Sequence, residues 1–354
     1  MSGRIMHCSA LLEAGQGGIA RVARMSARAL IENGAQIDLL SFLDTRKVAI
    51  GGFAASRGRS DKRLFAALTH LYGLRASHAL YDSVGIAKAH PRLLRLPYGL
   101  WMMGIESWED MRPDHLACMR RADLVIGISD HTLARHQNAH GALRNARRCW
   151  LATEQDEPPE TPAHFTGLPR VLIVARIDAA EGLKGHDALL DAWPTVVSAV
   201  PAARLSIVGE GSGLDALRAR AGASAVAGAI DFFGHVGEDA LAAHFAAAHV
   251  FAMPSRQEGF GIAYAESMRF GLPVVASSAD AGAEVNVDGV TGYTVAPGDR
   301  GALAEALVHL LRDPALCAAL GAAGFARWRT HFRYACFAER FLGIWREFAG
   351  EAQR

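Results

Sequence analysis

Two glutamates, Glu258 and Glu266, lie eight residues apart in residues 254–273, PSRQEGFGIAYAESMRFGLP. An apolar strand before them and a helical pattern after them predict that both carboxylates converge on one pocket. The glycines Gly259 and Gly261 allow a ligand close to the backbone, and a helix N-terminus offers N–H groups to an anion. Acceptors for hydroxyls and donors for phosphate suit a nucleotide sugar. The alternative is a solvated loop residue followed by a helix-surface acid.

Two cations follow the first predicted strand of the same half of the chain. Arg176 and Lys184 lie in the loop of residues 174–186, VARIDAAEGLKGH. Loops at the carboxyl edge of a doubly wound sheet converge, so these cations are expected beside Glu258. There they would neutralise a diphosphate and, in a transfer reaction, the charge growing on the leaving group. For either cation taken alone, the alternative is an ordinary surface residue.

Strand and helix patterns alternate along the chain, which predicts the α/β class with parallel, doubly wound sheets. In the first half, strands are predicted at 3–8, 35–42, 79–83, 95–98, 124–127 and 148–151, with helices at 17–32 and 61–73. In the second half, strands are predicted at 170–175, 204–208, 230–233, 250–253, 274–276 and 292–295. Helices are predicted there at 187–200, 214–221, 238–247, 301–311, 314–329 and 335–348.

Residues 152–168, ATEQDEPPETPAHFTGL, separate the two halves. Proline and acidic residues without periodicity are typical of a linker. The length of 354 residues also exceeds the roughly 250–300 at which one core stops growing. We therefore predict two similar domains facing each other across a cleft, an N-terminal domain over residues 1–155 and a C-terminal domain over residues 168–330.

Composition favours a cytoplasmic protein and excludes several other classes. No apolar run reaches the roughly 18 residues of a membrane span, and the N-terminus predicts a strand instead of a signal peptide. The five cysteines are scattered, without a CxxC motif or zinc spacing, so we expect reduced thiols. No nucleic-acid partner is expected.

Charge is distributed unevenly beneath a net charge of +1. Residues 1–154 hold 21 Lys and Arg against 13 Asp and Glu, whereas residues 155–354 hold 16 against 23. The basic half includes a predicted helix with apolar residues at helical spacing after several basic ones. This helix suits peripheral contact with the inner face of a membrane, or else it covers a sheet. Its apolar residues are Leu64, Phe65, Leu68, Leu71 and Tyr72.

Residues 99–110, GLWMMGIESWED, are too rich in Trp and Met for a plain connection. They predict a functional loop whose aromatic rings stack on a sugar. The alternative is that Trp101 and Trp108 close the core.

Motifs throughout the chain resemble those of the retaining, nucleotide-sugar-dependent glycosyltransferases of family 4, which have the GT-B fold of two Rossmann-like domains. They occur in the family's order and cover nearly the whole chain. The motifs are Gly17-Gly18, residues 122–129 (ADLVIGIS), Ala175-Arg176-Ile177, Lys184-Gly185, residues 208–211 (VGEG), Ser255-x-x-Glu258-Gly-Phe-Gly-x4-Glu266, residues 271–276 (GLPVVA) and residues 284–292 (EVNVDGVTG).

The resemblance implies a donor site and a catalytic group of Glu258, Arg176 and Lys184. The two cations would bind the diphosphate, Glu258 would contact the transferred sugar, and Glu266 would hold the ribose. Backbone groups of Gly17, Gly18, Gly259, Phe260 and Gly261 would line the phosphates and sugar, and contacts to the base would come from the region of Gly209, Phe233 and His235. The family needs no metal and no cofactor beyond its nucleotide-diphosphate sugar co-substrate.

The resemblance also implies that a C-terminal helix in residues 331–354 packs back on the N-terminal domain. On the acceptor side the sequence departs from the family, which often has a histidine where this chain has Met103. Either the true match lies at another position, or the enzyme does without this group and has Glu106 or His7 nearby. We place Met103, Glu106 and Trp101 on the acceptor side.

The predicted function is transfer of a sugar, with retention of configuration, to a glycan, lipid-linked or small-molecule acceptor, as in polysaccharide biosynthesis. Two alternatives stay open. One is a nucleotide-sugar-binding partner subunit without catalysis, which Met103 suggests, and the other is a GT-B nucleotide-sugar epimerase.

Overall fold

The computed structural model of the protein describes residues 3–15, 17–179 and 184–350. The chain divides into two compact units. The first unit comprises Met1–Glu154 and Tyr334–Arg354, and the second comprises Gln155–Arg333.

The first unit is built on a seven-stranded parallel sheet. The strands of the unit, including two outside this sheet, are β1 (Arg4–Ser9), β2 (Gln36–Ser41), β3 (Ala49–Ile50), β4 (Phe53–Ala54), β5 (Ser56–Arg57), β6 (His78–Tyr81), β7 (Tyr98–Met102), β8 (Leu124–Gly127) and β9 (Ala146–Arg148). The order is β5-β2-β1-β6-β7-β8-β9, with β3 and β4 forming a separate antiparallel pair. The helices that follow the strands are α1 (Gly18–Glu32), α2 (Lys62–Gly73), α3 (Val84–Ala87), α4 (Pro113–Arg121) and α5 (Asp130–His140). Short 3-10 turns lie at Arg92–Leu94 and Ile105–Ser107.

The second unit repeats this architecture on a six-stranded parallel sheet of order β12-β11-β10-β13-β14-β15. Its strands are β10 (Arg170–Val174), β11 (Arg204–Val208), β12 (Ile230–Gly234), β13 (Val250–Met253), β14 (Val274–Ser277) and β15 (Gly292–Val295). Its helices are α6 (His186–Ala199), α7 (Leu214–Gly222), α8 (Glu238–Ala246), α9 (Ile262–Arg269), α10 (Gly282–Val285), α11 (Arg300–Arg312) and α12 (Pro314–Arg327). A 3-10 turn lies at Ala227–Ala229, and a π-helical turn lies at Trp328–Phe332.

Short polar side chains set the starts of several helices. Asp61 caps α2, Ser129 caps α5, Asp299 caps α11 and Asp313 caps α12, each by accepting hydrogen bonds from first-turn N–H groups. Pro314 follows the last cap at the first helical position, where its missing N–H costs no hydrogen bond.

The predicted fold class of two Rossmann-like α/β units is confirmed. Two strand predictions are wrong in the first unit. β7 occupies Tyr98–Met102 instead of residues 95–98, because Pro97 cannot donate to a ladder and the five residues after it are all buried. β9 occupies Ala146–Arg148 instead of residues 148–151. All five cysteines are free thiols.

The chain ends with α13 (Tyr334–Phe348), which packs in the first unit beside α1. Trp101 on β7 stacks on two aromatic rings of this helix, with centroid distances of 6.0 Å to Phe337 and 5.7 Å to Phe341. All three side chains are fully buried. An aromatic stack therefore fixes the last helix to the sheet.

Within the described residues, no single helix has the length and hydropathy needed to cross a membrane. One bent pair, Arg300–Arg312 with Pro314–Phe348, meets the two criteria together.

The aromatic stack generates a stability prediction. Phe341→Ala is expected to lower the free energy of unfolding of the first unit by about 3–5 kcal/mol, because the lost ring leaves a cavity between Trp101 and Phe337. Urea denaturation followed by tryptophan fluorescence measures the change. Leu93→Ala is the control, since Leu93 is 90% exposed and its loss should change the same quantity by no more than about 0.5 kcal/mol. Equal losses in the two variants would contradict the expectation.

Candidate functional site

The charged residues of the second unit meet where its strand order reverses. β10 lies between β11 and β13, and doubly wound sheets bind ligands at the carboxyl edge of such a switch point. Lys184, after β10, donates from Nζ to Oε2 of Glu258, after β13, at 3.0 Å. The two side chains are only 20% and 17% exposed. The structure therefore brings two of the three predicted catalytic residues into one partly buried ion pair.

Asp280 holds the loop that carries Glu258. Its Oδ2 accepts hydrogen bonds from the Glu258 backbone N–H, at 3.1 Å, and from the Ser255 hydroxyl. Its Oδ1 accepts from the Gly282 N–H at 2.8 Å. The Glu258 carbonyl in turn accepts from the Ala281 N–H at 3.2 Å. The backbone N–H and C=O of Glu258 are thus both hydrogen-bonded to the loop after β14, which fixes the position of Glu258.

Burial, together with the nearby charge of Glu258, raises the pKa of the Asp280 carboxyl to about 6. Its hydrogen bonds from Ser255, Gly282 and Glu258 favour the ionised form and lower the pKa in part. The site therefore combines the carboxyls of Glu258 and Asp280 with the Lys184 ammonium. A bound anion would compete with Glu258 for that ammonium.

The N-terminus of α9 lies directly after the Glu258 loop. Gly261 precedes the helix with φ of +84°, a conformation that favours glycine, and no described side chain caps the first turn. N–H groups at such a helix start suit an anionic ligand. Glu266 lies half-buried on the second turn. The Phe260 ring is buried against Phe332, and its backbone N–H donates to Glu258 Oε1 at 3.4 Å.

Arg176 lies exposed on the loop after β10, which is packed against the glycine-rich loop after β11. The Ile177 N–H donates to the Glu210 carbonyl at 2.9 Å, and the Gly213 N–H donates to the Ile177 carbonyl at the same distance. The backbone of Arg176 therefore lies at the same sheet edge as Lys184.

The residues predicted near the base lie at the ends of two neighbouring strands, β11 and β12. The Gly209 N–H donates to the Gly234 carbonyl at 2.9 Å. Phe233 is 41% exposed, and the centroid of its ring lies 4.2 Å from the centroid of the His244 ring. His235 is exposed and lies 3.6 Å from Glu210. An accessible aromatic ring beside a glycine turn suits a flat heterocycle, so this region stays the predicted base site.

The remaining predicted residues belong to the first unit. Gly17 has φ of +87° and precedes α1, which begins at Gly18 without a side-chain cap. Met103 and Glu106 share the turn after β7, where the Met103 N–H donates to Glu106 Oε1 at 2.9 Å. Desolvation by the surrounding turn raises the pKa of Glu106, although the residue remains accessible to solvent.

Two acceptor-side predictions are wrong. Trp101 is fully buried in the stack described above, so its ring cannot meet a sugar. His7 lies inside β1, between Leu39 and Leu80 of the neighbouring strands, where burial lowers its pKa to about 4. The strand interior leaves no access for an acceptor, and His7 therefore cannot replace the family's histidine at Met103.

Two aspartates were missed by the sequence reasoning. Asp280 follows β14 by three residues, and Asp82 follows β6 directly. Asp82 is fully buried and accepts hydrogen bonds from the Ser9 hydroxyl at 2.6 Å and the Ala10 N–H at 2.7 Å. The signal for both was an acid placed just after a buried parallel strand, where a sheet's carboxyl edge collects loop contacts.

Among the described side chains, no group of three or more His, Cys, Asp or Glu is placed to hold a metal ion. The second unit instead offers a cation, two carboxylates and a helix N-terminus at one edge. This arrangement can bind an anion next to a polyhydroxyl group.

Comparisons with known proteins agree with this chemistry. The family described as glycosyl transferases group 1 matches residues 168–313. A GDP-mannose-dependent alpha-(1-6)-phosphatidylinositol monomannoside mannosyltransferase of Mycolicibacterium smegmatis is 33% identical over 261 residues, 68% of this chain and 68% of that enzyme. A GDP-mannose-dependent monoacylated alpha-(1-6)-phosphatidylinositol monomannoside mannosyltransferase of Corynebacterium glutamicum is 32% identical over 237 residues, 63% of this chain. That match spans 61% of the Corynebacterium enzyme, less than two thirds of its length.

Solved structures match over nearly the whole chain. Sucrose-phosphate synthase of Thermosynechococcus elongatus has a TM-score of 0.83 at 20% identity, covering 99% of this chain and 100% of that one. The HepE protein of Anabaena, in complex with UDP and glucose, has a TM-score of 0.80 at 17% identity, covering 98% and 100%. At these identities the likeness establishes the fold alone.

The raised pKa of Asp280 predicts how the stability of the protein depends on pH. An unfolded aspartate has a pKa of about 3.9, whereas that of native Asp280 is about 6. The native state therefore binds the proton more tightly. The resulting stabilisation is fully present below about pH 4 and is lost as the pH rises through 6. Relative to Asp280→Asn, the wild type should lose roughly 1–3 kcal/mol of unfolding free energy between pH 4 and 7.

Urea denaturation at each pH measures this difference. Asp215→Asn is the control, because Asp215 is 99% exposed and its replacement should leave the wild-type pH dependence unchanged. If the unfolding free energy of the wild type minus that of Asp280→Asn stayed constant or increased with pH, Asp280 would not titrate in this way.

Proposed function

Because the chain belongs to the glycosyl transferases group 1 family, we propose that it transfers a hexose from a nucleotide-diphosphate sugar to a glycan or lipid-borne acceptor. The observation that carries the proposal is the Lys184–Glu258 ion pair, at the switch point of the second unit beside the uncapped N-terminus of α9. A site of this charge and position suits a diphosphate joined to a sugar.

Binding would exchange partners within the ion pair. The diphosphate takes the Lys184 ammonium, with Arg176 and the first N–H groups of α9 as further donors. Glu258, released from Lys184, accepts hydrogen bonds from hydroxyls of the sugar. Glu266 on the second turn of α9 holds the ribose, and the region of Gly209 and Phe233 receives the base.

Catalysis would follow from the same contacts. As the bond between the anomeric carbon and the phosphate oxygen breaks, negative charge grows on the leaving diphosphate. Lys184, Arg176 and the α9 N–H groups stabilise that charge more in the transition state than in the ground state. The acceptor hydroxyl attacks the same face of the sugar and gives its proton to the departing phosphate, so the anomeric configuration is retained. Glu258 then serves as a positioning group.

GDP-mannose is the first donor to test and a phosphatidylinositol mannoside is the first acceptor, because both relatives described above carry these compounds in their names. A lipid-borne acceptor places the enzyme at a membrane surface. We propose a cytoplasmic enzyme that works peripherally at the inner face of the membrane in glycan biosynthesis.

Met103 supports a second candidate, a nucleotide-sugar-binding subunit without catalysis. The turn after β7 offers a thioether at the position where the family often has a histidine. Donor binding without nucleotide release over a panel of acceptors would favour this candidate over the transferase.

We predict that two substitutions both lower turnover but differ in their effect on GDP binding. Lys184→Ala should weaken GDP binding roughly tenfold or more, because a charge-assisted hydrogen bond is lost, and it should lower kcat about 10²–10³-fold. Glu258→Gln should leave GDP affinity unchanged or up to about threefold tighter, since Lys184 no longer needs to leave a carboxylate, but should lower turnover of GDP-mannose strongly. Calorimetric titration with GDP and an assay of GDP release measure the two quantities.

The controls are Lys47→Ala and Glu305→Gln, which remove the same charges at exposed positions outside the pair. Both should behave as wild type. If Lys184→Ala and Glu258→Gln both turned over GDP-mannose at the wild-type rate with a competent acceptor, the proposed donor site would be wrong.

Independence from metal ions is a separate prediction. Lys184, Arg176 and the helix N-terminus already supply positive charge to the diphosphate, so treatment with EDTA should change kcat by less than about twofold. Activity that disappears with EDTA and returns with Mg²⁺ or Mn²⁺ would refute it.

A further inference from the structure

The outer face of α2 carries a stripe of exposed apolar residues, which is unusual for a surface helix. Its inner face packs on the sheet of the first unit through Phe65, Leu68, Thr69 and Tyr72. Such a helix normally carries polar residues on the opposite side.

The outward apolar residues lie at positions i, i+3, i+7 and i+10, a spacing that forms one stripe along the helix. Leu64 is 40% exposed, Leu71 is 61% exposed and Leu74, which directly follows the helix, is 72% exposed. Ala67, between the first two, is also exposed. The structure thus divides the predicted stripe, placing Phe65, Leu68 and Tyr72 inward and the leucines at 64 and 71 outward.

A second exposed leucine segment abuts the C-terminal end of this stripe. Gly73, the last residue of α2, packs so closely on the turn Arg92–Leu94 that a Cβ there would lie 3.0 Å from Leu94 and from Pro91. Leu93 on that turn is 90% exposed. We call the five residues Leu64, Ala67, Leu71, Leu74 and Leu93 the leucine surface.

Basic residues surround the leucine surface. Residues 57–95 contain eight Lys and Arg but only two Asp. One of these, Asp61, caps α2 by accepting from the N–H groups of Arg63 and Leu64, and the other, Asp82, is fully buried. The exposed basic side chains nearest in sequence to the leucines are Arg59, Lys62, Arg63, Arg92 and Arg95, whereas the exposed Arg75 is paired with Asp38 at 2.7 Å.

We propose that the leucine surface docks the enzyme onto an anionic lipid bilayer. Leucines between basic side chains suit the boundary between acyl chains and negatively charged headgroups, where the leucines enter the apolar layer and the cations stay with the phosphates. The inference deepens the proposed function, because it names the surface through which the enzyme reaches a lipid-borne acceptor.

Vesicle flotation of the full chain tests the proposal without donor or acceptor. With vesicles of phosphatidylcholine and phosphatidylglycerol, the wild type should float, and with pure phosphatidylcholine it should stay at the bottom. The double substitution Leu71→Ser/Leu74→Ser should reduce binding to the anionic vesicles at least about tenfold, because two apolar side chains no longer enter the acyl layer. Lys62→Glu/Arg63→Glu should reduce it similarly, and 0.5 M salt should weaken wild-type binding.

Leu168→Ser is the matched control, because Leu168 is 57% exposed in the second unit and its replacement should leave flotation unchanged. Thermal shifts with GDP, measured on all variants, confirm folding and keep a failure of lipid binding distinct from a failure of donor binding. Equal binding to neutral and anionic vesicles would overturn the proposal, and so would wild-type binding by the leucine double variant. A wild type that forms dimers which the double variant lacks, with no flotation of either, would assign the surface to a second copy of the chain.

Discussion

The close approach of two backbone loops at the carboxyl edge of the second sheet is the constraint on which the site depends. Gly209 has φ of +143°, and a Cβ added there would lie 1.9 Å from the carbonyl oxygen of Ala175. Only a residue without a side chain allows this contact. The contact packs the loop of Arg176 against the end of β11, next to the predicted base site. Glycine at position 209 therefore lets the two loops touch, and this contact holds the loop of Arg176 at the sheet edge.

Electrostatic balance at that edge explains why the site is built from paired groups. A partly buried lysine without a partner would lose hydration without compensation, and Glu258 supplies the partner at 3.0 Å. A diphosphate carries more charge than one carboxylate, so it can displace Glu258 from Lys184. In the proposed function, the displaced carboxylate would then be available for sugar hydroxyls. One ion pair would thereby couple recognition of the phosphate to recognition of the sugar.

The sequence alone predicts the alternation of strands and helices and the division into two units, because buried strands and glycine turns have strong local patterns. It also predicts that Lys184 lies beside Glu258, because both follow strands of one parallel sheet. It was insufficient where one pattern fits two environments. The Trp and Met of residues 99–102 suggest a loop, but pairing with β6 and β8 makes these residues part of the strand Tyr98–Met102. Periodicity likewise could not tell which leucines of α2 face outward, since apolar residues occur on both sides. An acid just after a buried strand, such as Asp280, is a weak signal, because the sequence does not show whether its side chain is buried or solvated.

Asp280 and Asp82 reveal that the two units position their loops by the same means. In each unit an aspartate after one strand accepts from a serine hydroxyl and a backbone N–H at the end of the neighbouring parallel strand. Ser255 and Glu258 are the donors to Asp280, and Ser9 and Ala10 are the donors to Asp82. Burial raises the pKa of both carboxyls to about 6, so in each case the charge is held against a desolvation cost that an apolar residue would not incur. The gain must therefore lie in fixing the loops at the sheet edges, where the proposed function would place the substrates and where small displacements would weaken catalysis.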